Sequence, residues 1–152
     1  MKRIGKIIAT CALVAVSVTQ MGCPNVIERF TIRVVNNSSD IYVVSVFLAQ
    51  LQGQNITVVS DNLLNDDVDP ANEDEFSVLL SLADSENANA IGFNLEDLNG
   101  NSLGSNAVLS EGFVDGVTFT LTIEGSHETQ FDFSLDRELD KAFDDFDAAD
   151  EE

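Results

Sequence analysis

The chain has 152 residues, enough for one domain and too few for two comfortable ones. It carries 27 acidic residues against 7 basic ones, a formal charge of −20, and 44% of its residues are hydrophobic. An acid excess of this size excludes nucleic acid as a partner, since neutralising phosphates takes a basic face, and it opposes electrostatic docking on anionic lipid. The apolar residues fall in patterned runs, which favours a folded acidic domain over disorder.

In chain order, the first element is a leader. Residues 1–22 hold three bases, Lys2, Arg3 and Lys6, and no acid, so the part from Cys23 onward sets four bases against 27 acids, a charge of −23. Such an acidic face suits a cation-rich exterior, or plain solubility. The apolar run Ile7–Val18 is twelve residues long, broken only by Thr10 and Ser17. That is the length of an export-signal core and too short to cross a hydrocarbon layer of about 30 Å. Cleavage for soluble export needs small residues at −3 and −1, and Ala15-Val16-Ser17 would cut inside the run. Cys11 lies within the signal core, which leaves Cys23 as the single cysteine beyond it, unable to form an internal disulfide or to build a zinc site alone.

Gly22-Cys23 after that core resembles the bacterial lipobox, with Gly22 at −1 and Cys23 at +1, while Gln20 and Met21 depart from the usual residues at −3 and −2. The resemblance implies that Cys23 becomes lipid-modified and then N-terminal. Residues 1–22 are then a signal peptide and residues 23–28 a tether. The alternatives are a soluble exported protein and an uncleaved anchor.

From Phe30 the pattern has period two. Phe30, Ile32 and Val34 alternate with Thr31, Arg33 and Val35, and Asn36-Asn37-Ser38-Ser39-Asp40 is a turn cluster. Ile41–Leu48 is apolar on both faces and reads as a central strand, so the two runs predict a hairpin. Ile56–Val59 predicts a short edge strand. Asn62-Leu63-Leu64 and the acidic run to Pro70 predict a loop that plants two leucines in the core. Phe76, Val78, Leu80 and Leu82 alternate as a strand, as do Ile91, Phe93 and Leu95. Asp97-Leu98-Asn99-Gly100-Asn101 is a tight turn, and Ala107–Leu109 a weaker strand. Val117, Phe119, Leu121 and Ile123 alternate with Thr118, Thr120 and Thr122, which suits a sheet with one wet face. Phe131, Phe133 and Leu135 predict the last strand.

The expected fold is therefore all-β, an antiparallel β-sandwich of seven to eight short strands over residues 29–135. An acidic tail follows at 136–152, in which Leu135, Leu139, Phe143 and Phe146 are spaced for a short amphipathic helix. The macrodipole opposes the closing acids, which favours a frayed tail over a docked helix.

Candidate chemistry is sparse. Asp97, Asn99 and Asn101 occupy positions 1, 3 and 5 of an EF-hand-like spacing and make a candidate calcium site. Ser102 stands at position 6 and Val108 at position 12, so a plain hairpin turn is the favoured reading. Asp66, Asp67, Asp69, Glu73, Asp74 and Glu75 form a second acidic cluster, ordinarily a solvated surface. The single histidine, His127, sits in a turn between strands. No Gly-x-Ser-x-Gly elbow occurs. Paired carboxylates leave a hydrolase as a remote reading, and the absence of tryptophan beside a single tyrosine, Tyr42, disfavours a sugar cleft. N-glycosylation sequons at Asn36, Asn37 and Asn55 would matter only in a eukaryotic setting.

The sequence Phe30–Ile41, followed by Asp61-Asn62-Leu63-Leu64, Pro70 with its acids and Asp97–Asn101, is similar to small exported bacterial β-sandwich proteins, often lipoproteins, that lack an assigned activity. The resemblance implies that fold and an exported, envelope compartment; together with Gly22-Cys23 and the strand pattern from Phe30 to Leu135 it leads to the expectation of a cell-envelope lipoprotein acting as a non-catalytic binding or structural module. Its membrane contact would come through the anchor, and its partner would be an envelope protein or extracellular ligand. A calcium-dependent adhesion or sensor module is the alternative.

Overall fold

Alternation in the first strand sets the architecture. In β1 (Arg29–Ser38) every second side chain, Phe30, Ile32 and Val34, is fully buried, and the parity continues into buried Asn36 and Ser38. The computed structural model describes residues 27–139. Beyond β1 it contains β2 (Ile41–Gln52), β3 (Asn55–Val58), β4 (Asn72–Leu79), the short helix α1 (Leu80–Ser85), β5 (Ala90–Asp97), β6 (Ser102–Leu109), β7 (Val117–Ser126) and β8 (Gln130–Leu139). The eight strands form two four-stranded sheets, β4-β1-β7-β8 and β3-β2-β5-β6. The expected all-β sandwich is thus the observed fold.

Four local expectations change. β1 and β2 are not a hairpin: the Ser39-Asp40 corner carries the chain from one sheet to the other, and β1 instead pairs in parallel with β7, Ile32 opposite Phe119. The first sheet is therefore mixed, while the second is antiparallel throughout. Leu80 and Leu82 belong to α1, where they pack on the core from the sandwich end instead of extending β4. β8 continues past residue 135 to Leu139, because Asp136, Arg137, Glu138 and Leu139 pair with Thr120, Phe119, Thr118 and Val117. Leu135 and Leu139 are therefore strand residues and not part of a tail helix. The remainder of the tail, residues 140–152, the signal segment and Cys23 lie outside the described residues.

The core lies between the sheets. Phe30, Ile32, Val34, Val117, Phe119, Leu121 and Ile123 from one sheet meet Ile41, Val43, Val46, Leu48, Ile91, Phe93 and Leu95 from the other. Burying a side chain of this size stabilises by about 1.5–3 kcal/mol. Phe30 stacks on Phe113 at 4.6 Å and meets Phe119 edge-on at 5.8 Å, which seals the end where β1 begins.

A register shift between Val43 and Ser45 explains why β2 reads as apolar on both faces. Ile41 and Val43 point inward before it, and Val46 and Leu48 after it. Phe47, Ala49 and Leu51 then lie on the outer face, in a smaller cluster with Ile56, Ala90 and Ala107.

β3 ends at Val58, yet β2 is not left bare beyond that point. Val59 N–H donates to Leu48 O and Leu63 N–H to Val46 O. Between them the Ser60 hydroxyl accepts from Leu48 N–H, and Asn62 Oδ1 accepts from both Val46 N–H and Leu64 N–H. The Asn62-Leu63-Leu64 loop thus continues the ladder with side-chain acceptors while burying Leu64.

Candidate functional site

The residues singled out for chemistry gather at the end of the sandwich where β1 turns into β2. Three connections meet there: the Ser39-Asp40 corner, the β5–β6 hairpin and the β7–β8 hairpin.

Asn36 anchors the corner. Fully buried, it donates through Nδ2 to Ile41 O at 2.8 Å and Val68 O at 2.9 Å, and its Oδ1 accepts from the Ser38 hydroxyl at 2.6 Å and from Ser38 N–H at 3.2 Å. Both amide donors and both acceptor positions are filled, which is the condition for burying such a group. The Asp66–Asp69 loop is tied to β2 by reciprocal backbone bonds between Val43 and Val68.

Asp40 joins the corner to the β7–β8 turn. Its Oδ1 accepts from His127 N–H at 2.9 Å and its Oδ2 from the Ser126 hydroxyl at 3.0 Å. The His127 N–H, ahead of the Ser126 hydroxyl, holds the Asp40 carboxyl below the usual aspartate range. Gly125 precedes this turn at φ +94°, and a Cβ there would come within 2.3 Å of Gln130 O, so the position requires glycine.

Asp97, Asn99 and Asn101 are brought together, as the spacing predicts, but the oxygens do not converge on a shared point. Asp97 is only 7% exposed. Its Oδ1 accepts from Asn99 N–H and Asn101 N–H, both at 2.8 Å, and its Oδ2 accepts from Asn101 Nδ2 at 2.8 Å. These bonds, the Asn101 side chain's first, draw the Asp97 carboxyl down to about 2. The carboxylate is occupied by its own hairpin, and Asn101 presents a donor to it. His127 Nε2 stands 4.0 Å from Asp97 Oδ2 with its ring about half exposed. His127 is thus a surface residue whose backbone N–H bonds Asp40 and whose ring stands near an Asp97 carboxylate already filled by its own turn.

Five of the six acids of the second cluster, Asp66, Asp67, Asp69, Glu73 and Asp74 but not Glu75, line an open depression of about 340 Å³ beside this corner. Glu73 also pairs with Arg33 across β4 and β1. Among the described residues no group of three or more histidine, cysteine, aspartate or glutamate side chains is placed to hold a metal ion. Ser126 donates to Asp40 and accepts from Glu128 N–H, with no hydrogen bond to the adjacent His127 ring.

Sequence reasoning missed Asn36, Ser38 and Asp40 as structural polar residues, reading them as hairpin turn. One signal was present: Asn36 and Ser38 continue the inward parity of Phe30, Ile32 and Val34.

No protein-family model matches the chain, and no curated protein matches it. Several solved structures resemble it distantly, two of them as follows. A crystal structure of a Gram-negative toxin is 14% identical, with a TM-score of 0.41 over 71% of this chain and 23% of that one. An NMR structure of a protein from Eubacterium rectale is also 14% identical, with a TM-score of 0.41 over 75% of this chain and 94% of that one. The chain spans less than a quarter of the toxin's length, and likenesses this distant assign neither a family nor an activity.

Proposed function

We propose that the protein is a cell-envelope lipoprotein, held to the membrane through Cys23 and presenting its β-sandwich outside the membrane as a non-catalytic binding or structural module. The observation that carries this reading is Gly22-Cys23 directly after an export-signal core, with the first strand beginning at Arg29, six residues on. A tether that short with a folded domain behind it suits a lipid-anchored module. No helix among the described residues is long and apolar enough to cross a membrane.

The non-catalytic part is supported by the polar chemistry of the corner. Asn36 and Asp40 spend their hydrogen bonds tying the corner to the neighbouring turns, and Asp97 spends its own within the β5–β6 turn. The filled Asp97 carboxylate also weighs against calcium at the β5–β6 turn. Radiolabelled palmitate enters the wild-type protein in a bacterial host and does not enter Cys23→Ala; equal labelling of both, or none in either, removes the anchor.

A further inference from the structure

The exposed large apolar side chains are not scattered. Among the described residues they are Ile27, Val58, Leu79, Leu98, Leu109, Val114 and Leu139, and six of the seven lie at one end of the sandwich. Strand register places them. In the first sheet Leu79 pairs with Arg29 and Leu139 with Val117, which are the rungs where β1 and β7 begin. In the second sheet Val58, Ala49, Ala90 and Leu109 form the last rung shared by all four strands towards that end, on the sheet's outer face, and the β2–β3 hairpin continues past it to Gln52 and Asn55. Val114 lies in the loop that brackets β1, where Asp115 Oδ1 accepts from Arg29 N–H and Gly116 N–H donates to Arg29 O. Ile27 is on the chain entering β1. Only Leu98, on the β5–β6 hairpin, sits at the corner end.

This is the end from which the chain leads back to Cys23. Three residues lie between Cys23 and Ile27, a reach of at most about 14 Å when fully extended. If Cys23 holds a lipid in the bilayer, this end is kept against the headgroup layer, and a ring of exposed isoleucine, valine and leucine is the surface that gains from entering it. Resting on the anchor reading above, we infer that the Arg29 end of the sandwich is a membrane-contacting rim. Its apolar side chains seat in the interface of a lipid surface, which holds the corner end outward.

Charge decides which lipid. Glu28 enters β1, Asp84 and Glu86 lie on and just after α1, Glu111 and Asp115 lie in the β6–β7 loop and Glu138 ends β8, with Arg29 and Arg137 as the bases among them, so this end is acidic as well as apolar. It suits a zwitterionic surface, and anionic headgroups repel it.

The chain contains no tryptophan, so a single one introduced at the surface reports alone. Val114→Trp and Leu98→Trp, each in the full-length lipidated protein, are reconstituted in phosphatidylcholine vesicles with brominated acyl chains, with circular dichroism checking that both retain the sheet signal. The expected result is quenched, blue-shifted emission from Val114→Trp and unquenched emission from Leu98→Trp, with the quenching reduced when anionic lipid is added at low salt. Equal quenching at the two positions, or none at either, in protein whose Cys23 is lipidated by mass spectrometry overturns the rim and leaves the anchor standing. A blue shift at Val114→Trp that follows protein concentration and ignores bromine also overturns it, in favour of a second copy covering this end. Absence of lipid on Cys23 overturns both.

Discussion

A buried asparagine costs free energy unless every polar atom finds a partner, and Asn36 meets that condition with four hydrogen bonds. Asn36→Ala removes these four bonds while Val68 O keeps Val43 N–H and Ile41 O keeps the Ser38 hydroxyl, and is expected to destabilise by about 1–3 kcal/mol in urea unfolding. Asn106 presents the opposite case. Paired with Phe93 on the inner side of β6, it buries an Nδ2 with no hydrogen-bond partner. Asn106→Leu removes that orphaned donor and is expected to stabilise by about 1 kcal/mol in the same assay. Asp97 sets a pH dependence. Its folded value of about 2 lies below the ordinary aspartate value, so its contribution is complete above about pH 4 and is lost as pH falls through about 2. The melting temperature of the wild type should drop across that window, and Asp97→Asn should show a shallower drop.

Packing between neighbouring strands is tested by Gly92. Phe47 lies across it on the outer face of the second sheet, and a Cβ at residue 92 would come within 2.1 Å of the Phe47 ring. Gly92→Ala should therefore destabilise by about 1–3 kcal/mol, and Phe47→Leu in the same chain should restore part of the loss, a coupling read by a double-mutant cycle. The strands themselves were largely legible. β5, β7 and β8 alternate strictly, and a period of two with turn residues at each end identifies them without knowledge of partners. What stayed illegible depended on partners. Asn36–Asp40 has the composition of a hairpin turn, and nothing local distinguishes that from a corner between sheets; the distinction lies in the pairing of β1 with β7, nearly ninety residues away. Leu80 and Leu82 continue the alternation of Phe76 and Val78, and only their packing at the sandwich end makes them helical. At the candidate site, the spacing places Asp97, Asn99 and Asn101 in one turn, whereas the direction of their donors and acceptors is set by the turn's backbone.

The whole molecule has two unlike ends. The corner end is polar and closed by hydrogen bonds among Asn36, Asp40, Asp97, Ser126 and their neighbours. The opposite end carries all of the exposed large apolar side chains of the described residues except Leu98, and the chain leading back to Cys23. This polarity accords with a domain held by one end and working from the other, and it makes attachment at Cys23 the claim on which the functional account turns. Intact-mass measurement of the protein extracted from bacterial envelopes tests it most directly. The account predicts a chain beginning at Cys23 and heavier than its amino acids by covalently bound acyl groups. A mass matching an unmodified chain, or one beginning at any other residue, would contradict it.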